Sequence, residues 1–489
     1  MSAIRFVVLS DLHFGAENSI MTSVAEHPRG APSPAASGAA GPEPYEPVPT
    51  TPSPVLLAVT DALRSLVDRQ DDPPTLILAG DVLDLALSSD AVAAAAFEGF
   101  VDAVFGQTPR LFADTVYYLP GNHDHHLWES AREAQYLSYL EELDPAAEIG
   151  QPWHVTGLLP SSLRPAHNSL MQALIRRRPG GEGVTVMVAY PNLALLSSDG
   201  RRCRMVSHGH FSEPIYTLMS QLRDLLFPEQ RDPDGLSIAA MEAENFAWID
   251  FFWSTLGRSG EVGSDVGLVY ADLTSAADLD ELSANLVHSL VARNHGPLWL
   301  RPVESRIITA IAQREVNHLA RSERGTPGQT LSARTESGLR VYLEGPVRRQ
   351  MEQDLGGVVD DFGFIFGHTH KPFVADRRLA GYPSPVRISN TGGWVVDTTS
   401  PAPTQGGVAV LLDDELNTAS LQFFRQESGG GAEPVRVLAP ADPGDNALHD
   451  ILASEIDPTS GVWRAVSDAA ARLIPQRHQL QAELVRQTR

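Results

Sequence analysis

The sequence predicts an α/β fold built on mixed β-sheets and interrupted by a large, mainly helical insertion. Three observations carry that expectation. Short β-branched apolar runs alternate with helix-period stretches over the first 210 residues. Strand-like runs return after residue 355. Between the two, residues 211–355 lose the strand pattern and keep the helical one.

Ile4–Ser10 (IRFVVLS) reads as a short buried strand. Residues 28–54 carry nine prolines among Ala, Gly, Ser and Thr, the composition of a flexible or polyproline-like excursion with no core of its own. Val55–Arg69 then shows helical spacing at Leu56, Val59, Leu63, Leu66 and Val67. Thr75–Gly80 (TLILAG) and Val116–Gly121 (VYYLPG) are further strands, separated by an Ala-rich helix over Ala91–Phe105. Val184–Ser197 and Arg202–Ser207 flank the turn SSDGR, where Asp199-Gly200 signals a hairpin.

Ile215, Leu218, Met219, Leu222, Leu225 and Leu226 make one amphipathic face at the start of the insertion. Helical stretches follow at Leu279–Arg293, Val303–Arg321 and about Leu339–Leu355, and Phe246–Trp253 sets five aromatics in eight residues. Strands return at Phe362–Phe366, Val386–Ser389, Val408–Leu412 and Thr418–Phe424. A Gly/Pro-rich segment around Ser428–Asp445 leads to a C-terminal helix over Val462–Arg489, which Pro475 should interrupt. The organisation is thus a core of residues 1–210 and 356–426, an insertion of 211–355 placed as a cap, and a linker with helical extension over 427–489.

A formal charge of −24 opposes nucleic-acid or anionic-membrane binding, because the summed field repels phosphates. An anionic substrate is still admissible where bound cations dominate the local field. The single cysteine, Cys203, excludes an intrachain disulfide framework and suits a reducing cytoplasm. No apolar run is long enough to span a membrane, and the apolar stretch at Ile4–Leu9 is too short for a secretory signal. The 37 basic residues are 36 arginines and one lysine, Lys371.

Each early strand ends in Asp, Asn or His. Asp11-Leu12-His13 follows IRFVVLS; Gly80-Asp81-Val82-Leu83-Asp84 follows TLILA; Gly121-Asn122-His123-Asp124 follows VYYLP. His208-Gly209-His210 follows CRMVS, and Gly367-His368-Thr369-His370 follows FIF. Ligands of α/β folds collect at the carboxyl ends of strands, so five such ends can converge on one site. Imidazole and carboxylate without thiolate suit Zn, Fe or Mn rather than a structural zinc site, and a carboxylate can bridge two cations. Singly, each block also reads as an ordinary turn or helix cap.

In this order the five blocks resemble the calcineurin-like metallophosphoesterase family, whose pattern is DxH, GDxxD, GNH[DE], a later His and GHxH. Ser389-Asn390-Thr391-Gly392 resembles the turn that follows GHxH in many members. The resemblance covers residues 4–210 and 362–424 apart from the proline-rich excursion. It implies an αββα sandwich, two packed mixed β-sheets flanked by helices. It implies Asp11, His13 and His370 on one metal, Asn122, His208 and His368 on a second, and Asp81 bridging them. His123 would be the catalytic histidine near the scissile phosphate, oriented by Asp84. A hydroxide held by two divalent or trivalent ions (Mn, Fe or Zn) would attack phosphorus in line. The two histidines of GHTH lie two apart, and alternate residues of an extended segment point the same way, so both can face one centre.

His210, His125 and Lys371 stand beside these blocks and are candidate substrate contacts; each reads equally as a solvated loop residue. Arg176-Arg177-Arg178 is a phosphate candidate set against a solvated charged face. The expected substrate is a small phosphomonoester, phosphodiester or nucleotide conjugate. The alternatives are a protein serine/threonine phosphatase and a non-catalytic binding protein on the same fold. Nucleic acid is disfavoured, as is peripheral membrane contact, and the sequence leaves the oligomeric state open.

Overall fold

A computed structural model describes residues 3–26, 45–68, 70–165, 169–232, 235–255, 328–440 and 446–487. The helices expected at Leu279–Arg293 and Val303–Arg321 lie outside the described residues.

Two mixed sheets form the centre. The larger has seven strands, ordered β14 (Arg436–Leu438), β13 (Thr418–Arg425), β12 (Gly406–Asp413), β1 (Ile4–Leu9), β4 (Thr75–Leu78), β5 (Thr115–Tyr118) and β6 (Thr185–Val188). The smaller has five, ordered β10 (Phe373–Arg377), β11 (Val386–Asn390), β9 (Asp361–Phe366), β8 (Arg202–Ser207) and β7 (Asn192–Leu196). The expected strand over Val184–Ser197 is two strands in different sheets, and the chain crosses between them at Tyr190-Pro191.

Side-chain alternation sorts each strand into layers. Val8, Ile77, Val408, Val410 and Leu412 of the large sheet meet Leu193, Leu195, Val206 and Ile365 of the small one in a core between the sheets. Their neighbours Val7, Leu9, Leu76, Leu78, Ala409 and Leu411 point the other way, onto helices α1 (Pro54–Val67), α2 (Asp90–Phe105) and two C-terminal helices. Met205, Phe364 and Phe366 likewise leave the inner layer and meet α5 (Leu218–Leu226), α6 (Ile238–Asp250), α7 (Ala333–Tyr342) and α8 (Arg348–Asp354). The remaining helices before the insertion are α3 (His126–Glu142) and α4 (Leu170–Arg176). The result is helix–sheet–sheet–helix, and a one-residue slip in any central strand would exchange its two layers.

Three segments differ from expectation. Eight residues near the end of the proline-rich stretch, Tyr45–Pro52, form β3 and pair with β2 (Thr22–Glu26), because Pro at an edge needs no ladder N–H. Ser53 then caps α1, accepting from the Val55 N–H, with Pro54 at the first helical position. The C-terminal extension is part of the sandwich. It contributes edge strand β14, then α9 (Ala447–Glu455) and α10 (Gly461–Gln487), which lay Leu448, Leu452, Val466, Ala470 and Ile474 on the outer core.

Pro475 does not end α10. Losing one helical hydrogen bond there costs about 3 kcal/mol. Ile474 is fully buried beside it, and the buried guanidinium of Arg477 donates to the carbonyls of Ser19 and Thr22 (3.2 and 2.8 Å), which offsets that cost.

β1, β4 and β5 run parallel in one sheet, as do β8 and β9 in the other. Their five carboxyl ends open at one end of the sandwich and carry the five polar blocks.

Candidate metal centre

The site is built on bent backbone. Six described non-glycine residues have positive φ, and five of them are Asp11 (52°), His13 (47°), Asp81 (49°), His368 (66°) and His370 (58°). L-residues avoid this region at a cost of about 1–2 kcal/mol each, so the surrounding structure over-determines these positions. The expectation that His368 and His370 converge because their segment is extended is therefore incorrect. β9 ends at Phe366, and two left-handed residues turn both imidazoles inward.

Asn390 braces that loop. Its side-chain amide donates to the Gly367 carbonyl (2.8 Å) and to the Thr369 hydroxyl (3.1 Å), and its Oδ1 accepts from the Gly392 N–H. The Asn-Thr-Gly turn thus holds the histidine loop. Gly367 itself is required by close approach, since a Cβ there would strike the Asp11 carboxylate and the Ser10 hydroxyl.

The structure brings together all seven candidate ligands, with His123 and Asp84. Asp11, His13 and His370 present donor atoms within 4.8 Å of one another, and so do Asp81, His208 and His368; every one is buried. His13 Nε2 and His370 Nε2 face each other at 3.2 Å, and His370 Nε2 lies 3.3 Å from Asp11 Oδ1. Asp81 Oδ2 stands between the two groups, 3.7 Å from His13 Nε2 and 3.4 Å from His208 Nε2. Asn122 Oδ1 lies 2.9 Å from His208 Nε2.

The far ring nitrogens are held from behind. His13 Nδ1 meets Asp84 Oδ2 (2.9 Å), His370 Nδ1 meets Asp397 Oδ2 (2.5 Å), and His208 Nδ1 donates to the Ala79 carbonyl (3.1 Å). Such bonds leave Nε2 of each ring as the inward donor atom. His368 Nε2 lies 3.0 Å from Glu213 Oε1. Asp84 uses its other oxygen on His123 Nδ1 (3.2 Å) and on the Leu87 N–H (2.8 Å).

Asp124 serves the backbone: its carboxylate accepts from Gly121 N (2.6 Å), Val82 N (2.8 Å) and Asp81 N (3.2 Å), tying two ligand loops together.

The electrostatics fit cations. Burial opposes charging of Asp84, yet the imidazoles of His123 and His13 hold its carboxyl well below the usual range. Asp81 behaves likewise, with burial outweighed by His208 and His123. Burial would depress His208, but Asp81 and Asp11 push it up to about 9. A buried carboxylate cluster that holds the His208 proton this tightly is one that divalent ions can relieve, releasing that proton.

The side candidates are not solvated. Lys371, His125 and His210 are fully buried. His125 Nε2 pairs with Glu242 Oε1 (2.8 Å), and His210 Nε2 meets the Tyr190 hydroxyl (3.2 Å). Arg177 and Arg178 pair with Glu98 and Asp102 of α2, a charged face. In the aromatic run, Trp248 donates to the Ile215 carbonyl, Phe246 lies under Arg132, Trp253 packs on Tyr216, and Phe251 is exposed.

Sequence reasoning missed Asp397, Glu213, Glu242 and the backbone role of Asp124. Asp397 and the two glutamates sit in no motif and reach the site only through the fold.

Buried imidazoles and carboxylates at the strand ends of an αββα sandwich define a metal-dependent phosphoester hydrolase. Residues 4–199 match the family model of the calcineurin-like phosphoesterases, and the chain is a hydrolase acting on phosphoric ester bonds. The match includes Asp11, His13, Asp81, Asp84, Asn122 and His123; His208, His368 and His370 lie beyond it and join the site through the geometry above. A comparison with curated proteins found no match. No helix among the described residues is long and apolar enough to cross a membrane.

Proposed function

We propose that the chain is a dinuclear phosphohydrolase acting on a small phosphomonoester, phosphodiester or nucleotide conjugate. The observation that carries this reading is the position of Asp81 Oδ2 between two ligand groups, Asp11/His13/His370 and Asn122/His208/His368. When bound, two cations would acidify an attacking water and offset charge on the phosphoryl oxygens. His123 takes the proton-handling role: Asp84 engages Nδ1 and orients the ring, leaving Nε2 to donate toward the leaving oxygen.

The ligands, His123 and Lys371 are all nearly inaccessible to solvent. The burial of these side chains favours a small ester over a phosphorylated protein side chain. In this reading residues 211–355 act as a cap that shapes the pocket, supported by Glu213 and Tyr216 standing beside His368. The test is a panel of an aryl phosphate, an aryl phosphodiester, nucleoside diphosphate conjugates and a phosphoprotein assayed with Mn²⁺, with metal analysis of the same sample. Two ions per chain and turnover of one ester class are expected. One ion per chain would end the dinuclear reading, and activity confined to phosphoproteins would end the small-molecule reading.

A further inference from the structure

The two ligand groups are braced by different parts of the chain. Among the described residues, those that brace Asp11, His13 and His370 belong to the sandwich. His13 rests on Asp84, His370 on Asp397, and Asp11 accepts from the His368 N–H (2.9 Å). Around Asn122, His208 and His368 the bracing reaches out into the insertion. Glu213, in the segment leading to α5, sets Oε1 3.0 Å from His368 Nε2. Glu242, fully buried on α6, serves the other two ligand loops with one carboxylate. Its Oε1 meets Nε2 of His125, three residues beyond Asn122. Its Oε2 accepts from the Tyr190 hydroxyl (2.8 Å), which also meets His210, two residues beyond His208. Ser254 and Asp250 add to the grip: the Ser254 hydroxyl accepts from the His126 N–H (2.8 Å), and Asp250 Oδ1 lies 3.4 Å from His126 Nδ1. His208 keeps one bracing partner in the sandwich, the Ala79 carbonyl.

We propose that the insertion positions the ligands of one metal only, the ion of Asn122, His208 and His368, with Glu213 and Glu242 as its positioning residues. The inference rests on the dinuclear reading above. Its consequence is ordered loading: the sandwich binds the ion of Asp11, His13 and His370 unaided, and the other ion binds tightly only when α6 and the Glu213 segment are docked. Groups that brace metal ligands from behind typically change affinity about 10–100-fold when removed. That sets the effect expected here.

The experiment is a Mn²⁺ titration of the full chain, followed calorimetrically and by electron paramagnetic resonance. Wild type is compared with Glu213→Ala, Glu242→Gln and Asp397→Ala. Wild type should bind two ions and show a spin-coupled Mn pair. Glu213→Ala and Glu242→Gln should each weaken one ion about 10–100-fold and leave the other at wild-type affinity. At intermediate Mn²⁺ their coupled signal should give way to that of a single ion. Asp397→Ala should instead weaken the ion that those two variants spare. Two ions at wild-type affinity in both glutamate variants would overturn the proposal, and so would equal weakening of both ions in a chain with unchanged circular dichroism. If Glu242→Gln fails to fold, the partly exposed Glu213→Ala decides alone. A wild type that binds one ion would instead sink the dinuclear reading.

Discussion

Asp84 Oδ1 lies 3.2 Å from His123 Nδ1, while the other oxygen of the same carboxylate holds His13 Nδ1 at 2.9 Å. One side chain therefore orients a candidate acid and a candidate ligand together. Replacing His123 by Ala should lower kcat about 10²–10⁴-fold with metal content unchanged. Replacing Asp84 by Ala should lower kcat and also weaken one ion. Steady-state kinetics with metal analysis separate the two, and an Asp84→Ala chain with normal metal affinity would refute the shared role.

Asp81 offers its Oδ2 to both groups, whereas Asp11 belongs to one. Asp81→Ala should therefore reduce the affinity of both ions, and Asp11→Ala chiefly that of one. Plasma mass spectrometry after dialysis against a low Mn²⁺ concentration reads this directly. Retention of two ions by Asp81→Ala would remove its bridging role.

Much of this site was legible because each ligand block follows a strand and each strand is a short local pattern. The run FIF ahead of Gly367 and TLIL ahead of Gly80 announce both the strand and its polar end. What stayed hidden is what only three dimensions join. Nothing near Asp397 hints that it will meet His370, 27 residues earlier, and Glu242 sits in an ordinary helical segment. Local pattern was also misleading where burial overrode it: Pro475 should have broken α10, but Ile474 and Arg477 anchor the helix on both sides. The proline-rich stretch hid β3 because strand pairing at an edge tolerates residues that local propensity rejects.

Gly80 ties backbone conformation to the centre. Its φ is 87°, and a Cβ there would run into the His208 imidazole. Gly80→Ala should cost about 1–2 kcal/mol from the left-handed conformation alone, plus the displacement of His208. Urea denaturation should register the first and Mn²⁺ titration the second, as weaker binding of the ion held by His208. Wild-type values in both would show that the β4 loop relaxes freely.

The pairing of His125 with Glu242 makes a pH signature. Burial would lower the His125 pKa, but Glu242 and then Asp250 outweigh it and push the value up to about 10. Glu129 and Tyr190 also face this cluster, and burial keeps the Tyr190 phenol neutral by raising its pKa well above the ordinary value. A histidine with a raised folded-state pKa stabilises fully below its unfolded value, about 6.5. That contribution falls as pH rises through the folded value of about 10. The Tm advantage of wild type over Glu242→Gln should therefore be largest near neutral pH or just below it, and should shrink steadily up to pH about 10. Calorimetry of both chains across that range makes the comparison, with effects common to both cancelling. An advantage that stays constant or grows with pH would mean that Glu242 stabilises α6 by packing and hydrogen bonding rather than by holding a charged His125.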